Sequence, residues 1–343
     1  LDLAVAGIFD PSRLSWLDAP SPAAYAQAGE LLRQLDAVDN RGHATLHGRR
    51  MAALGMHPRL AHMTLRAGTE GATALACDIA AILSERDPLR GAAQVTGVDL
   101  QARVDALGRI GTAPRGAHGD GIDLHLLRRI AEQSARWRSQ LPAAPAATDV
   151  PSIGRVLALA FPDRVAQRRP GNAPRYLLRN GTGAILPDGD PVGGDAFIVV
   201  AESDGRVPES RVFLAASLAA DDLEHDFSGQ ITVTPVVVWD DERGVRASSE
   251  RRLGALVLAT RPLPSPDPEA VAGAVAGAVR RLGLDILPWT QSTIRLRERL
   301  AFVHYHDPSW PDMSDAALAG ALLRGLHAEL GAVRSAADMR RLD

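Results

Sequence analysis

The spacing of apolar residues changes character near the middle of the chain, and this change limits what the chain can fold into. Before residue 142 the apolar positions recur at helical intervals, as in Ala28, Leu31 and Leu35, which would share one face of a helix. After residue 151 the apolar runs are short and are separated by glycine and aspartate turns, as is typical of strands. The Pro/Ala-rich stretch Pro142–Pro151 therefore predicts a domain boundary.

These patterns divide the chain into four predicted domains of a multidomain α+β protein. Residues 1–56 show helices, a tight turn with a short strand at Ala44–Leu46, and a further helix, which is the order of a winged-helix unit. Residues 57–150 are mostly helical. Residues 151–220 carry five short strand-like runs and suggest a small β-barrel, with the OB fold as one candidate. Residues 221–343 combine a hairpin, a buried strand and helices in an α+β C-terminal domain.

Composition excludes several classes of protein. The 343 residues are 46% hydrophobic, which is enough to form a buried core. No apolar run approaches the roughly 18 residues of a membrane span, so we expect no membrane partner. The single cysteine, Cys77, cannot form an intrachain disulfide, which fits a reducing cytoplasmic location. The chain starts at Leu1 without an initiator methionine, and we interpret it as a piece of a longer protein.

All 38 basic residues are arginines, because the sequence contains no lysine. A phosphate-binding P-loop needs a lysine that reaches the β- and γ-phosphates, so this chain has no nucleotide motor of that type. We therefore expect no catalytic residue and no cofactor in the chain itself. The net charge of −3 provides no overall attraction to nucleic acid, so any such binding requires a local basic patch.

Such a patch is the strongest candidate site in the sequence. Six arginines fall within 25 residues with Asp163 as the only acid among them, and Phe161 and Tyr176 are interleaved. Guanidinium groups bind phosphates and aromatic rings stack on bases, so the cluster suits a single strand of nucleic acid. The alternative is a solvated basic face on a barrel with Tyr176 in its core. The predicted nucleic-acid-binding residues are Arg155, Arg164, Arg168, Arg169, Arg175, Tyr176 and Arg179.

Long segments of the chain, taken in order, resemble the HrpB-type bacterial DEAH-box ATP-dependent helicases. The resemblance covers nearly the whole chain, and the combined order of the segments is more specific than any one of them. They include LSWLDAP (14–20), AGELLRQLDAVD (28–39), GRRMAALGMHPRL (48–60), LACDIAAILSERDPLRG (75–91), LALAFPDRVAQRR (157–169), YLLRNGTGAIL (176–186), RLGALVLATRPLP (252–264), LPW (287–289) and WPDMSDAA (310–317).

The resemblance implies the part of such a helicase that follows its two RecA-like motor domains. It implies a degenerate winged helix, a helical ratchet-like bundle, an OB-like barrel and a family-specific C-terminal domain. These would guide and grip a single strand of RNA or DNA while the motor domains of the parent protein bind ATP and Mg²⁺. The P-loop, the Asp-Glu-x-His box and the arginine-finger motif are missing here, so the resemblance assigns no ATPase activity to this chain.

Two further sets of charged residues are predicted to lie between domains. Arg59 follows a proline at a helix start and would contact a neighbouring domain or a phosphate; local pairing is the alternative. Glu85, Arg86 and Asp87 lie at a helix end, where they would satisfy end groups or dock two domains.

Other patterns are interpreted as structural. His304 and His306 are two positions apart, so on a helix they do not share a face that could bind a metal; His118, Asp120, Asp123 and His125 are equally weak ligands. The glycine-rich stretches 180–183 and 190–194 join short strands and predict turns. Cys77 and the stripe of Val271, Val275, Val279 and Leu282 predict core positions.

A second function remains open on the sequence. The C-terminal domain carries Trp239 and a mixed set of charges on its hairpin, and it would serve as a protein-interaction module without nucleic-acid binding. A free-standing hydrolase is disfavoured, because no nucleophile and base are found together.

Overall fold

The computed structural model describes residues 1–89, 97–110, 122–142, 151–287, 289–318, 321, 327–339 and 341. The chain forms two compact units, of which the first comprises Leu1–Gln230 with Gly254–Leu256 and the second comprises Ile231–Leu253 with Val257–Asp343. Both units contain helices and strands, which confirms the mixed α+β class. In the described ranges, no helix is long and apolar enough to cross a membrane.

Helices form the N-terminal part of the first unit, and polar side chains cap most of them. Ser21, Thr45 and Asp123 each accept a hydrogen bond from a backbone N–H of the first turn, which satisfies a donor that lacks a partner within the helix. The described helices before the barrel strands are α1 (Asp2–Val5), α2 (Pro22–Gln34), α3 (Leu46–Ala53), α4 (Pro58–Thr69), α5 (Thr73–Leu83), α6 (Leu100–Gly108), α7 (Leu124–Gln140) and α8 (Ile153–Ala160); α9 (Ala220–Asp226) follows these strands.

The helices pack through their apolar faces. Helix α5 lies against both α4 and α7, and α4 also contacts α8. A separate small core joins α2 to α3 through Leu35, Met51 and Leu54. The strand predicted at Ala44–Leu46 is reduced to a single antiparallel bridge between Val38 and Ala44, because the Thr45 side chain caps α3 and the helix begins at the next residue.

A closed five-stranded barrel follows the helices, as the short apolar runs predict. The strands are β1 (Val165–Arg168), β2 (Arg175–Leu178), β3 (Gly183–Ile185), β4 (Phe197–Ser203) and β5 (Glu209–Ser217). Their order around the barrel is β1-β2-β3-β5-β4, and β1 closes the ring by pairing antiparallel with β4. Strand β3 pairs parallel with β5. The barrel interior is filled by side chains that include Ile198, Val200 and Val212.

Helix α8 rests on the outside of β4 and β5. The approach is close at Gly154, where an added Cβ would lie 1.9 Å from the carbonyl oxygen of Ser217. The predicted helix near 153–161 is therefore the element that covers one side of the barrel.

The second unit is built on a three-stranded sheet with the order β6-β7-β8. Its strands are β6 (Thr232–Asp240), β7 (Gly244–Leu253) and β8 (Leu256–Pro262), and its helices are α10 (Pro268–Leu282), α11 (Gln291–His306), α12 (His327–Leu330) and α13 (Ala336–Met339). Strands β6 and β7 form the predicted hairpin, with Asp240 opposite Gly244. Helix α10 packs on β6 through Val271, Val275 and Val279, which are buried as predicted; Leu282, at the end of that stripe, is exposed.

Helix α10 buries one face, whereas helix α11 has no buried residue. Its aromatic side chains are open to solvent, with Phe302 67% and Tyr305 81% exposed. One side of the helix is fixed by Arg297, which bonds to the Met313 carbonyl and pairs with Asp315.

We expect Gly154→Ala to destabilise the first unit, because the new methyl group would overlap the Ser217 backbone. The free energy of unfolding should fall by about 1–3 kcal/mol, the usual cost of overpacking. The matched control is Gly29→Ala in α2, where a Cβ would meet only the flexible tip of Arg33 at 3.9 Å. The control should gain about 0.5–1 kcal/mol from the better helix propensity of alanine. Urea unfolding of both variants checks this, and equal destabilisation would contradict it.

Candidate nucleic-acid interface

The six clustered arginines point in different directions. Arg155 lies on α8, Arg164 precedes β1, Arg168 ends β1, Arg169 follows it, and Arg175 begins β2; Arg179 follows β2. Closeness in the sequence therefore does not produce one continuous patch, and each side chain has to be judged by its own contacts.

The Arg155 side chain forms ion pairs with two acidic residues. Its guanidinium makes hydrogen bonds of 2.8–3.1 Å to both carboxylate oxygens of Asp226 in α9, and it lies 3.2 Å from Glu70. The hydrogen bond to Asp226 raises the pKa of Arg155 further above its usual value. A guanidinium held by two carboxylates has little capacity left for a phosphate.

Arg164 and Arg179 are also held in the fold. Arg164 donates to the Ala201 carbonyl at 2.8 Å and lies over the Phe161 ring. Arg179 donates to the Gln230 side chain at 2.7 Å and lies over the Phe227 ring. Burial lowers the pKa of both guanidinium groups. These arginines stabilise the junction between helices and barrel.

Tyr176 is a correction to the sequence prediction, because it lies in the core and not on the surface. Its side chain is 0% exposed, and its hydroxyl lies 3.0 Å from the Val192 carbonyl and 2.9 Å from the Asp195 carbonyl. Burial raises the pKa of this hydroxyl to about 12. The ring has no free face for a base, and the alternative interpretation of Tyr176 is the one the structure supports.

Phe161 is also unsuited to base stacking. The ring is buried, and the guanidinium carbons of Arg59 and Arg164 lie 5.2 Å and 4.9 Å from its centroid. Both aromatic residues of the predicted platform therefore serve the packing of the first unit.

Arg168 occupies the position on β1 directly opposite Tyr176. It is half-buried, and its Nε atom is buried without a hydrogen-bond partner among the described residues. Because Tyr176 faces the barrel interior, Arg168 opposite it lies near the end of that interior.

Arg169 and Arg175 are exposed on the outside of the barrel. Their guanidinium nitrogens lie 3.7 Å and 3.8 Å from the two carboxylate oxygens of Glu209. These long, partly exposed ion pairs are weak, so the two guanidinium groups can exchange Glu209 for another anion.

The strand pairing extends this basic row to a residue the sequence analysis missed. Arg175 pairs with Ile185, and Ile185 pairs with Arg211 on β5. Arg211 is exposed, and Phe213, two positions further along β5, has a side chain that is 49% exposed. We call Arg169, Arg175, Arg211 and Phe213 the outer barrel face. A sequence signal could have identified Arg211. Successive side chains of a strand point to opposite faces, and along β5 the exposed Arg211 and Phe213 flank the buried Val212.

A cleft of about 400 Å³ adjoins one end of the outer barrel face. Arg211 and Phe213 line one side, and the turn that contains Asp188 and Asp190 lines another. The two oxygens of Asp190 accept hydrogen bonds from the backbone N–H groups of Val98 and Val192, so this carboxylate is already used to hold the turn.

Arg59 forms a long-range ion pair. Its guanidinium makes two hydrogen bonds to Asp163, at 2.6 Å and 3.0 Å, and a third to the Ala160 carbonyl at 2.9 Å. The ion pair joins the start of α4 to the turn that leads into β1. Arg59 therefore does not pair locally within its own helix start, which was the alternative interpretation. A phosphate would have to displace Asp163.

Glu85, Arg86 and Asp87 pair with residues of neighbouring helices. The ion-pair distances are 2.6 Å from Glu85 to Arg129, 2.7 Å from Arg86 to Asp123 and 2.7 Å from Asp87 to Arg103. All three partners lie within the predicted helical domain, because α6 and α7 fold back on α5. Glu85 and Asp87 also line a cleft with Glu202 and Phe213 of the barrel.

The remaining candidates are accounted for by local contacts. His304 lies 2.6 Å from the Trp310 carbonyl, and Asp123 caps α7. His118 and Asp120 fall outside the described residues. No group of three potential metal ligands occurs in the part of the chain that was described. Cys77 is buried, and burial raises the pKa of its thiol to about 11.

These observations define a class, a two-unit α+β protein with a closed barrel and an arginine-bearing outer face. The family model described as "ATP-dependent RNA helicase HrpB, connector region" matches residues 230–263, which include β6, β7 and β8. The protein named ATP-dependent RNA helicase HrpB from Escherichia coli (strain K12) is 30% identical over 348 residues, and the match covers 100% of this chain and 40% of that relative.

Two solved structures match at the same coverage of 100% of this chain and 40% of theirs. They are described as the crystal structures of the E. coli DExH-box NTPase HrpB, with a TM-score of 0.61 and 29% identity, and of the Escherichia coli DEAH/RHA helicase HrpB, with 0.60 and 27%. The chain spans about 40% of the length of the relatives it matches. The resemblance is thus confirmed, and the chain is related to the C-terminal region of the HrpB-type helicases.

We expect Arg59→Ala to destabilise the first unit strongly, because it leaves Asp163 and the Ala160 carbonyl without their donor. The loss in free energy of unfolding should be about 3 kcal/mol, as for other buried pairs broken on one side. Arg49→Ala, which removes an exposed arginine on α3, should change stability by less than about 0.5 kcal/mol.

A double-mutant cycle with Asp163→Asn separates the pair from the packing of the arginine stem. The two effects should be strongly non-additive, since each variant breaks the same contact. Additive losses would mean that the ion pair itself contributes little.

Proposed function

We propose that the chain is the accessory region of an ATP-dependent helicase and that its barrel contacts a single strand of nucleic acid. The observation that carries this proposal is the outer barrel face. Arg175 and Arg211 lie in one row of the register with Ile185 between them. Arg169 lies in the loop after β1, and the ring of Phe213 is exposed. Arginine forks suit phosphates, and an exposed ring gives a base a surface for stacking.

The strand order of the barrel supports an OB-like domain. A five-stranded Greek-key barrel that binds oligonucleotides uses the face of its second and third strands and the loops after its first and fourth strands. Here Arg175 lies on β2, Arg169 lies in the loop after β1, and Arg206 lies in the loop after β4. The proposed nucleic-acid-binding residues are therefore Arg169 and Arg175, which the sequence also indicates, together with Arg206, Arg211 and Phe213.

The preceding helices would position this barrel. The Val38–Ala44 bridge between α2 and α3 is what a degenerate winged helix would retain of its wing, and α4 to α7 would form the ratchet-like bundle. In this proposal the parent protein's RecA-like domains bind ATP and Mg²⁺ and move the strand, the present chain guides it, and the location is cytoplasmic. RNA is the preferred strand, because the relatives are named RNA helicases.

The exposed surface of helix α11 favours a second function. A helix of 16 residues without a buried side chain, which exposes Phe302 and Tyr305, is unusual for an isolated soluble domain. The C-terminal unit would then serve as a protein-interaction module, either toward the motor domains of the parent or toward another protein.

We expect the triple variant Arg169→Ala, Arg175→Ala, Arg211→Ala to weaken binding of fluorescently labelled single-stranded RNA. If each arginine neutralises one phosphate, the slope of log affinity against log salt should become shallower by about 2, at about 0.7 per contact on a single strand. Anisotropy titrations at several salt concentrations, repeated with DNA, measure both quantities.

The matched control replaces Arg41, Arg49 and Arg128, which are exposed and, among the described residues, make no side-chain ion pair. It removes the same charge and should leave the slope nearly unchanged. If the triple variant and the control behave alike, the barrel does not hold the strand. If Phe302→Ser with Tyr305→Ser lowers strand affinity instead, the contact lies on α11.

A further inference from the structure

A cleft of about 410 Å³ lies among α3, α4 and α5, away from the outer barrel face. Its volume is within the range of small-ligand sites. The polar residues of its lining are His47, Arg50, Thr64, Arg66, Thr69 and Thr73. These three basic residues and three threonines bring polar groups to a cleft whose surface is otherwise largely apolar, and no carboxylate of the described residues lines it.

The two arginines of the cleft are not neutralised by the protein. Arg50 and Arg66 are exposed and, among the described residues, make no side-chain ion pair. Both act electrostatically on His47, and together with burial they lower its pKa. Asp36 opposes this effect, but it acts on His47 more weakly than Arg66 does. The cleft therefore carries positive charge without a partner in the described fold.

His47 is oriented by a second histidine. Its Nε2 atom lies 3.0 Å from Nδ1 of His62. Burial lowers the pKa of His62 to about 4, so this ring is neutral at physiological pH. The contact between the two histidines holds His47 at the edge of the cleft, and the Nδ1 atom of His47 takes no part in that contact.

The start of α5 supplies the remaining donors. Its N-cap is Ala72, which has no side chain to bond the free N–H groups of the first turn, although the other described helices of eight or more residues begin with a side-chain cap. Thr73 is 94% buried (6% exposed), and its hydroxyl has no hydrogen-bond partner among the described residues. A buried hydroxyl without a partner is costly and calls for a ligand or a functional explanation.

We infer that this cleft binds a phosphate group, with Arg50 and Arg66 as its cationic clamp and the Thr73 hydroxyl and the N-terminus of α5 as its neutral donors. A phosphate has several acceptor oxygens, so it can use guanidinium, hydroxyl and backbone N–H donors together. The volume exceeds that needed for a bare ion and admits a phosphorylated organic group. Its source is either a small phosphorylated molecule or the backbone of a strand.

The first experiment titrates the purified chain with inorganic phosphate and follows the heat of binding and the ring signals of His47. We expect saturable binding that Thr73→Val and Arg66→Ala each weaken roughly tenfold, the effect of one lost charge-assisted hydrogen bond. Arg49→Ala, one position before Arg50 but outside the cleft, should bind phosphate like the parent chain. Thr73→Val should keep its melting temperature, because the hydroxyl that it removes has no partner to lose.

Failure of the parent chain to bind phosphate saturably, or an unchanged affinity in Thr73→Val, would overturn the inference. A second titration with a single-stranded oligonucleotide separates the two sources. If the oligonucleotide displaces phosphate and the cleft variants weaken it, the ligand is a strand phosphate. If phosphate binds and the oligonucleotide does not compete, the ligand is a small phosphorylated molecule. We expect substitution of the outer barrel face to leave phosphate binding intact, which makes this test independent of the proposed strand contact.

Discussion

The guanidinium of Arg59 is the point at which the helices and the barrel of the first unit are joined. It belongs to α4, yet its hydrogen bonds go to Ala160 at the end of α8 and to Asp163 in the turn before β1. Since α8 covers β4 and β5 while β1 closes the ring against β4, one side chain fixes both the cover of the barrel and its closing strand. The buried ring of Phe161 packs against Arg59 and Arg164 at this junction.

Local chemistry made most elements of the fold predictable. Proline and aspartate turns limited the strands, and capping residues such as Thr45 limited the helices. Helix α6 was not distinguished within the helical region predicted for residues 57–150, although Leu100, Val104 and Leu107 have helical spacing. The order of the strands around the barrel was not readable, since the parallel pairing of β3 with β5 is a contact between distant residues that no local pattern specifies.

The candidate site was only partly predictable, because a sequence shows where charges occur and not where they point. Arg155 and Tyr176 were selected for their position in a basic cluster, but one meets Asp226 in a distant helix and the other fills the barrel. Arg211 was overlooked because it lies outside the cluster in the sequence, although strand pairing brings it into line with Arg175. Alternation of exposed and buried positions is the better guide when a basic cluster falls on strands.

The burial of Cys77 has a practical consequence for following this protein in motion. The single thiol is enclosed in α5 and its pKa lies near 11, so at neutral pH it is almost entirely protonated and sterically shielded from electrophiles. A cysteine introduced on an exposed helix would therefore take up a thiol-reactive dye selectively, without removal of the native residue. Because the sequence contains no lysine, a single lysine introduced at a surface position would likewise be its only side-chain amine, and two different fluorophores could be attached at chosen points of the same molecule.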